Sequence, residues 1–349
     1  MPPRIKDVAR RAGVSSATVS RVLSNHPHVS PETREKVLRA IEELGYRPSR
    51  VARSLRAQRS RIIGLIISDI QNPFFTALVR AVEDVAYEHD YAIFLGNSDE
   101  DIEKEGLYVE VMRAEHVAGV VISPTQEDYS PAQHLVALGI PVVTIDRAVR
   151  GLAVDSVLVD NVGAAYTLVD HIIKDGHTRV AAVVGIPDAT TGRERFEGYR
   201  RALEDNGLPL DERLVRRGLP KEHVGYEMTR ELLHLPQPPT ALFTGNNLLT
   251  LGALRAIREA GLHIPDDIAL VAFDELDWMP LFEPALTVAA QPTYELGRQA
   301  TELLLKRIGG WDEAPRKVVL TPTIHIRRSC APHPEEQVLT PVAPRPAVS

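Results

Sequence analysis

A short segment near the N-terminus carries side chains whose types and spacing suit the edges of DNA bases. If the segment SATVSRVL is helical, its apolar residues share one face, and Ser16, Ala17, Ser20 and Arg21 lie opposite. An arginine can bind O6 and N7 of guanine together, a serine can donate or accept, and an alanine can contact a thymine methyl group. The alternative is an ordinary solvated surface. We predict that this face reads bases in the major groove.

Three short helices would position that face. Apolar residues recur at helical spacing before Gly13, which can make a tight turn, and Ser15 can then cap the second helix. Ser30 with Pro31 marks the start of a third helix, and Gly45 marks its end. This order of helices, with a turn between the first two, predicts a helix-turn-helix unit.

The charge of the chain is divided unevenly along the sequence. Residues 1–61 carry 14 lysines and arginines against five acids, a net charge of +9, while the whole chain carries −7 and the remainder therefore −16. A basic head on an acidic body is typical of a polyanion-binding unit joined to a domain with another role. Thr18 and Asn25, which flank the predicted base-reading face, suit contacts with phosphates.

After residue 60 the pattern is that of an α/β protein. Short apolar runs rich in β-branched residues alternate with helical stretches, which predicts parallel strands joined by helices. Because these units are too many for one small sheet, we predict two doubly wound lobes. Ligands of such sheets bind beyond the carboxyl ends of the strands, so the residues after each run are candidate site residues. The runs are 62–67, 92–95, 120–122, 142–145, 180–184, 241–243 and 268–273.

The composition points to a soluble cytoplasmic protein. The single cysteine, Cys330, cannot form an internal disulfide. The basic N-terminus lacks an apolar signal segment, and no stretch reaches the roughly 20 apolar residues of a membrane span. The proline-rich tail, residues 331–349, is expected to be disordered.

The run IKDVARRAGVSSATVSRVLSNHPHVSPETREKVLRAIEELGYRPSRVARSL resembles the N-terminal domain of the LacI/GalR family of bacterial repressors, almost without gaps. The resemblance continues to about Arg328. It implies a helix-turn-helix domain over 1–48, a hinge helix or linker over 49–60, and a two-lobed effector-binding and dimerisation domain over 61–330. Ser16 and Ala17 would then set operator preference, with Arg21 as a further base reader.

The resemblance also assigns a role to the basic stretch after the three helices. In the family this hinge forms a helix on the operator, pairs with that of the dimer mate, and inserts a leucine into the minor groove. The matching wedge is Leu55, with Val51 on the same helical side and Arg53 between them. The alternative is a flexible linker. Because the hinge pairs with that of a dimer mate, we expect a homodimer on a palindromic operator in double-stranded DNA. The tail has too many prolines to form the coiled coil of a tetramer.

For the body, the resemblance implies a periplasmic sugar-binding fold with the ligand between two lobes. The expected ligand is a sugar or a sugar acid, because carboxylates, amides and guanidinium groups satisfy hydroxyls while aromatic rings cover a C–H face. Paired arginines would suit neutral hydroxyls, and a free one would suit a carboxylate. Helix caps, core packing and surface ion pairs are the alternative roles. The matching residues are Asp69, Asn72, Phe74, Phe75, Asp146, Arg147, Arg193, Asn246, Asp274 and Gln291.

Two positions leave the ligand class open. The family usually has Asn-Asp where this chain has Asn246 and Asn247, so one carboxylate is missing. Trp278 follows Asp274 and could stack on a ligand or form an apolar rim.

The sequence predicts a DNA-binding transcriptional repressor controlled by a small ligand. It contains no GxxxxGK[ST], GxGxxG, GxSxG or HExxH motif, and its 12 histidines lack metal-ligand spacing, so we predict no enzyme, cofactor or metal. A sugar-binding transport protein and a regulator controlled by a phosphorylated protein partner are the alternatives. The basic head and the missing export signal argue against transport.

Overall fold

The computed structural model describes residues 3–23, 28–46, 60–330 and 337–342. It divides into two compact units, Met1–Ser60 and Arg61–Ser349, called here the head and the body. None of the helices described is long and apolar enough to cross a membrane.

The described residues of the head form three helices, α1 (Ile5–Ala12), α2 (Ser16–Leu23) and α3 (Pro31–Leu44). Gly13 has a φ of 68°, the left-handed conformation that lets the chain turn between α1 and α2. The backbone N–H of Thr18 donates to the Ser15 hydroxyl at 3.0 Å, and that of Thr33 donates to Ser30 at 3.3 Å. Both predicted N-caps are therefore confirmed.

The core of the head is built from the predicted apolar faces. Val8, Val19 and Val37 are fully buried, and Val22 and Ala40 are nearly so. Burial of an aliphatic side chain contributes about 1.5–3 kcal/mol, so this face of α2 is committed to the core. The opposite face of α2 is therefore the one available to a partner.

The first sheet of the body has six parallel strands in the order β11-β5-β4-β3-β1-β2. The strands are β1 (Ile62–Ile67), β2 (Ala92–Asn97), β3 (Gly119–Ile122), β4 (Val142–Ile145), β5 (Asp155–Val159) and β11 (Lys317–Leu320). One face packs against α4 (Pro73–Glu88) and α11 (Thr293–Ile308), the other against α5 (Ile102–Ala114) and α6 (Gln133–Ala137). All of β3 and β4 is buried, as expected for strands covered on both faces.

The second sheet has seven strands in the order β13-β12-β10-β9-β8-β6-β7. They are β6 (Val180–Val184), β7 (Val215–Arg217), β8 (Ala241–Thr244), β9 (Ala269–Phe273), β10 (Thr287–Ala290), β12 (Thr323–Ile326) and β13 (Gln337–Leu339). One face packs against α7 (Asn161–Lys174) and α8 (Thr190–Asp205), the other against α9 (Glu222–Leu233) and α10 (Asn247–Glu259). Short 3-10 turns lie at Glu212–Leu214 and Met279–Leu281.

Two strands of the second sheet differ from the expectation of parallel order. β12 runs antiparallel to β10, and β13 runs antiparallel to β12. β13 lies in the tail that was expected to be disordered, so that prediction is wrong for residues 337–339. The segment Gln337–Leu339 contains no proline and can pair with the open edge of β12, which offers unpaired backbone groups.

The chain passes between the two sheets three times, after β5, after β10 and after β11. Each sheet with its helices forms one lobe, called the first lobe and the second lobe in chain order. The predicted pair of α/β lobes is confirmed, and neither lobe is one continuous stretch of sequence. The seven predicted runs each coincide with a strand.

Candidate functional site

The predicted base-reading residues share the outer face of α2. Ala17 and Arg21 are exposed, Ser16 and Ser20 are half-buried, and the apolar face points into the head's core. The four residues thus lie on one surface of α2. A recognition helix that enters a major groove needs such a surface to reach the bases.

Of the other predicted DNA contacts, Thr18 lies among the described residues. Thr18 is half-buried, and its hydroxyl lies 2.9 Å from the hydroxyl of Ser15, so it takes part in capping α2. Asn25, Val51, Arg53 and Leu55 lie outside the described residues, and their roles stay predictions.

Nine of the ten predicted ligand residues line one cleft between the lobes. The cleft has about 550 Å³ of space when its opening to solvent is counted. The nine residues are Asp69, Asn72, Phe74, Phe75, Asp146, Arg147, Asn246, Asp274 and Gln291. Residues that the family resemblance singled out, far apart in sequence, therefore line one cleft beyond the strand ends.

Sharp turns at the strand ends aim carboxylates into this cleft. Asp146 directly follows β4, Asp274 directly follows β9, and Glu100 precedes α5. Their φ angles are 66°, 74° and 61°, a left-handed conformation that non-glycine residues rarely adopt. Such strain persists where the surrounding structure enforces it, and it is common at functional sites.

Two phenylalanines form the apolar wall of the cleft at the start of α4. Asn72 caps this helix by accepting a hydrogen bond from the Phe74 N–H at 3.0 Å. The rings of Phe74 and Phe75 meet edge to face with their centroids 5.0 Å apart. Both line the cleft and both pack in the first lobe's core, so the two roles weighed for them are compatible.

Arg147 is held by a carboxylate that the sequence analysis did not identify. Its two terminal nitrogens each donate to Glu100 at 2.7 Å. Burial alone would lower the pKa of Arg147, but the Glu100 carboxylate more than offsets this and raises it. Burial also raises the pKa of Asp146 to about 6, although Arg147 and Arg195 oppose the shift. The guanidinium of Arg147 is thus already neutralised by the protein.

Arg193 is the one predicted ligand residue that is not among the described residues lining the cleft. Its side chain is 42% exposed and pairs with Glu127 at 2.7 Å. Arg195 lines the cleft, is 5% exposed, and lies 3.7 Å from the centre of the Phe273 ring. Residues two apart on a helix point about 200° apart, so Arg193 and Arg195 cannot face the same side.

The buried guanidinium of Arg195 is satisfied within the second lobe. Its Nη1 donates to the Gly245 carbonyl at 2.6 Å, and its Nε donates to Asn161 Oδ1 at 2.9 Å. Burial lowers the pKa of Arg195, and the carboxylates of Asp146 and Asp274 oppose the shift.

Contacts across the cleft hold the lobes together. Lys221 of the second lobe donates to Asp69 at 2.7 Å and to Asp99 at 2.6 Å in the first. Burial would lower the pKa of Lys221, but these two carboxylates raise it. The amide of Asn247 donates to Asn72 Oδ1 at 2.8 Å, a bond that the carboxylate usual at this position could not donate.

Sequence reasoning missed Glu100, Arg195 and Lys221 as cleft or bridging residues. For Arg195 a signal existed, because Tyr199 and Ala202, four and seven residues later, are apolar positions of the same helical face and are fully buried. No pattern in the sequence marks Glu100 or Lys221.

A small group of potential metal ligands lies outside the cleft. His171, Asp175 and Cys330 of the second lobe bring their ligand atoms within 4.8 Å of one another. None of the three is among the described residues that line the cleft.

Two family profiles match the chain in the order of its two units. The family described as “Bacterial regulatory proteins, lacI family” matches residues 4–49. The family described as “Periplasmic binding proteins and sugar binding domain of LacI family” matches residues 60–330, more than half of the chain.

Similar proteins cover nearly the whole chain. Catabolite control protein A of Priestia megaterium is 36% identical over 303 residues, 86% of this chain and 91% of its own length. The HTH-type transcriptional repressor PurR of Erwinia tasmaniensis is 36% identical over 336 residues, 95% and 97% of the two chains.

Solved structures agree with these relatives. The transcriptional regulator CelR–cellobiose complex is 34% identical, with a TM-score of 0.70, and the match covers 94% of this chain and 99% of that one. The Lac repressor dimer bound to operator and the anti-inducer ONPF is 27% identical, with a TM-score of 0.80 and coverage of 95% and 100%.

Proposed function

The chain belongs to the lacI family of bacterial regulatory proteins, DNA-binding transcriptional repressors under small-molecule control, and we propose that its effector is an uncharged sugar bound in the cleft. We assign the C–H face of the sugar ring to Phe74 and Phe75. We assign the polar contacts with its hydroxyls to the carboxylates, amides and guanidinium groups of the cleft, which are Asp69, Asn72, Asp146, Arg147, Arg195, Asn246, Asp274 and Gln291.

The observation that carries this proposal is that most guanidinium nitrogens of the cleft's arginines already have hydrogen-bond partners within the protein, whereas the buried Nε of Arg147 has none among the described residues. Glu100 holds both terminal nitrogens of Arg147, while Gly245 and Asn161 take two donors of Arg195. Four carboxylates and two guanidinium groups line the cleft, so an anionic ligand would meet an excess of like charge. Neutral hydroxyls can donate to those carboxylates, which favours a sugar over a sugar acid.

On the DNA side, we assign base contacts to Ser16, Ala17, Ser20 and Arg21 of α2. Thr18 and Asn25 are assigned to phosphates, and the hinge residues Val51, Arg53 and Leu55 to the minor groove. One head spans only half a site, so the binding unit is a homodimer on a palindrome. The structurally similar Lac repressor is described as a dimer bound to operator, which supports this assignment. A protein that acts on bacterial DNA works in the cytoplasm.

The ligand would control DNA binding through the lobes. Asp146 and Arg147 belong to the first lobe, and Arg195 and Asp274 to the second, so a bound sugar contacts both. A ligand shifts an equilibrium only by its different affinity for the two lobe arrangements. Contacts with both lobes provide that difference, because they are complete in the closed cleft alone.

Two arginines on α8 offer a matched test. Sugars that stabilise the protein against heat would be titrated into the protein–operator complex, and anisotropy of the labelled operator would be followed. Arg195→Met should raise the sugar concentration needed for a response about 10- to 100-fold, because a buried charged hydrogen-bond donor is lost. Arg193→Met should change it less than about threefold, since exposed ion pairs contribute little.

Operator affinity without sugar should stay near wild type in both variants. Arg195→Lys, which keeps the charge, replaces Arg195→Met if melting shows that the methionine variant is unfolded. Equal responses from the Arg193 and Arg195 variants would contradict the cleft assignment. A protein that responds to sugar acids and to no neutral sugar would contradict the ligand class.

A further inference from the structure

A second cavity adjoins the cleft beside Phe74. It offers about 980 Å³ of space, counting its opening to solvent, and shares the side chains of Phe74, Asp274 and Gln291 with the cleft. Its remaining walls are the first turns of α4 and α11 and the loop after β9, which carries Trp278. The cavity is therefore a neighbour of the proposed sugar site, and the three shared side chains line both.

Trp278 gives this cavity an aromatic wall. The indole is half-buried, and it meets the ring of Phe282 edge to face with centroids 6.4 Å apart. Packing of this kind restricts the indole and leaves it as a fixed apolar surface. A fixed aromatic face is what the C–H side of a sugar ring stacks on.

The charged groups of the cavity wall are carboxylates. Glu275 lies within ion-pair distance of Arg327 and His325, and Asp277 is exposed at the opening. Among the described residues, the cavity is lined by neither lysine nor arginine. Hydroxyl donors fit such a wall, and anionic groups do not.

Gln291 lines both spaces. Its Nε2 donates to Asp274 Oδ1 at 2.5 Å. Its Oε1 is buried and accepts no hydrogen bond from any residue that the structure describes. A buried acceptor without a donor is costly, and a hydroxyl near the junction of two sugar rings would satisfy it.

We propose that the effector has two linked sugar rings, the first in the cleft and the second in the cavity against Trp278. This inference rests on the proposed function, because the first ring is the sugar of the cleft. It assigns Trp278 as a residue that selects disaccharides over monosaccharides.

Calorimetric titration of matched sugars tests the inference. The probes are glucose with cellobiose and maltose, and galactose with lactose and melibiose. We expect one disaccharide to bind at least about tenfold more tightly than its monosaccharide, since a second ring adds one stacking contact. Trp278→Leu, which keeps apolar packing on Phe282, should remove that gain and leave monosaccharide affinity unchanged. Trp311→Leu is the control, because Trp311 is the chain's other tryptophan and is also half-buried.

Fluorescence gives a second readout that needs no change at Trp278. In Trp311→Phe the indole of Trp278 is the chain's single tryptophan, and its emission should shift with the tight disaccharide and not with the monosaccharide. If monosaccharides bind as tightly as disaccharides in wild type and in Trp278→Leu, and emission is unchanged, the two-ring inference is wrong while the proposed function stands. If none of the probes binds to wild type, the proposed sugar function fails, and the two-ring inference fails with it.

Discussion

The head and the cleft both rely on arginine, under opposite conditions. Arg21 is exposed on α2, one helix turn from the other predicted base contacts. Arg147 is 5% exposed, and its partner Glu100 comes from a different loop of the same lobe. The predicted base-contacting side chains of the head are close in sequence and at least partly exposed to solvent. The charged side chains of the cleft are buried and depend on partners that folding brings together.

This difference predicts what a substitution at each place will change. An exposed side chain can be lost at little cost to folding, so its removal should affect DNA binding alone. A buried charge is tolerated because its partner neutralises it, so removal of the partner should affect the whole body. The predictions below test this contrast, in order of decreasing effect.

Removal of Glu100 should cause the largest loss of stability. Glu100→Ala leaves the buried guanidinium of Arg147 without its main partner, and breaking a buried pair typically costs about 3–5 kcal/mol. Urea unfolding followed by circular dichroism measures the free energy of unfolding. The control is Glu35→Ala, which removes an exposed ion pair of α3 and should cost less than about 1 kcal/mol. Similar losses in the two variants would contradict the contrast between head and cleft.

Asp146 should make the body less stable as the pH rises. Its folded-state pKa of about 6 lies above its ordinary value of 3.8, so the folded protein holds the proton more tightly than the unfolded chain. Stability is therefore lost as the pH rises from about 4 to 6, by at most about 3 kcal/mol. Asp146→Asn cannot ionise, so its stability advantage over wild type should grow between pH 4.5 and 7.5. Urea unfolding at the two pH values measures this, and an advantage independent of pH would refute the argument.

Arg21 should affect specificity without affecting folding. Arg21→Ala should weaken binding to the preferred operator by about 1–3 kcal/mol and relax the preference at one base position in each half-site. The melting temperature should stay unchanged, since the side chain is exposed.

Leu55→Ala provides the contrast with Arg21→Ala. Loss of the wedge should weaken binding to all specific operators and leave the salt-sensitive non-specific binding to DNA unchanged. Gel-shift titrations would use operators changed at single base positions. If Arg21→Ala weakens binding to all of these operators equally, the assignment of Arg21 to a base is wrong.

Much of the fold could be predicted because its signals are local. Caps at Ser15 and Ser30, and the apolar periods of the head, depend on neighbours within one or two helical turns. The buried strands were recognisable by their β-branched runs. The edge strand β13 was missed, because an edge strand is stabilised by pairing with β12 rather than by its own three residues.

The site was predicted less completely than the fold. Residues directly after strands, such as Asp146 and Asp274, could be assigned because the carboxyl ends of parallel strands meet at one edge. Arg193 came from matching by position, which takes no account of the side of α8 that each residue faces. The helical period that includes Tyr199 favours Arg195 as the arginine that faces the cleft.

The sequence by itself determined the two units and the outer face of α2 that we propose reads bases, because periodicity is a property of short segments. Strand ends and the family resemblance together indicated most of the cleft wall. The tertiary structure alone decided which charges are paired. Glu100 meets Arg147 across 47 residues, and Lys221 meets Asp69 across 152. Coulomb interactions depend on the distance between two charges in space and on their burial, and the order of residues along the chain gives neither. That pairing is the basis on which we propose a neutral ligand.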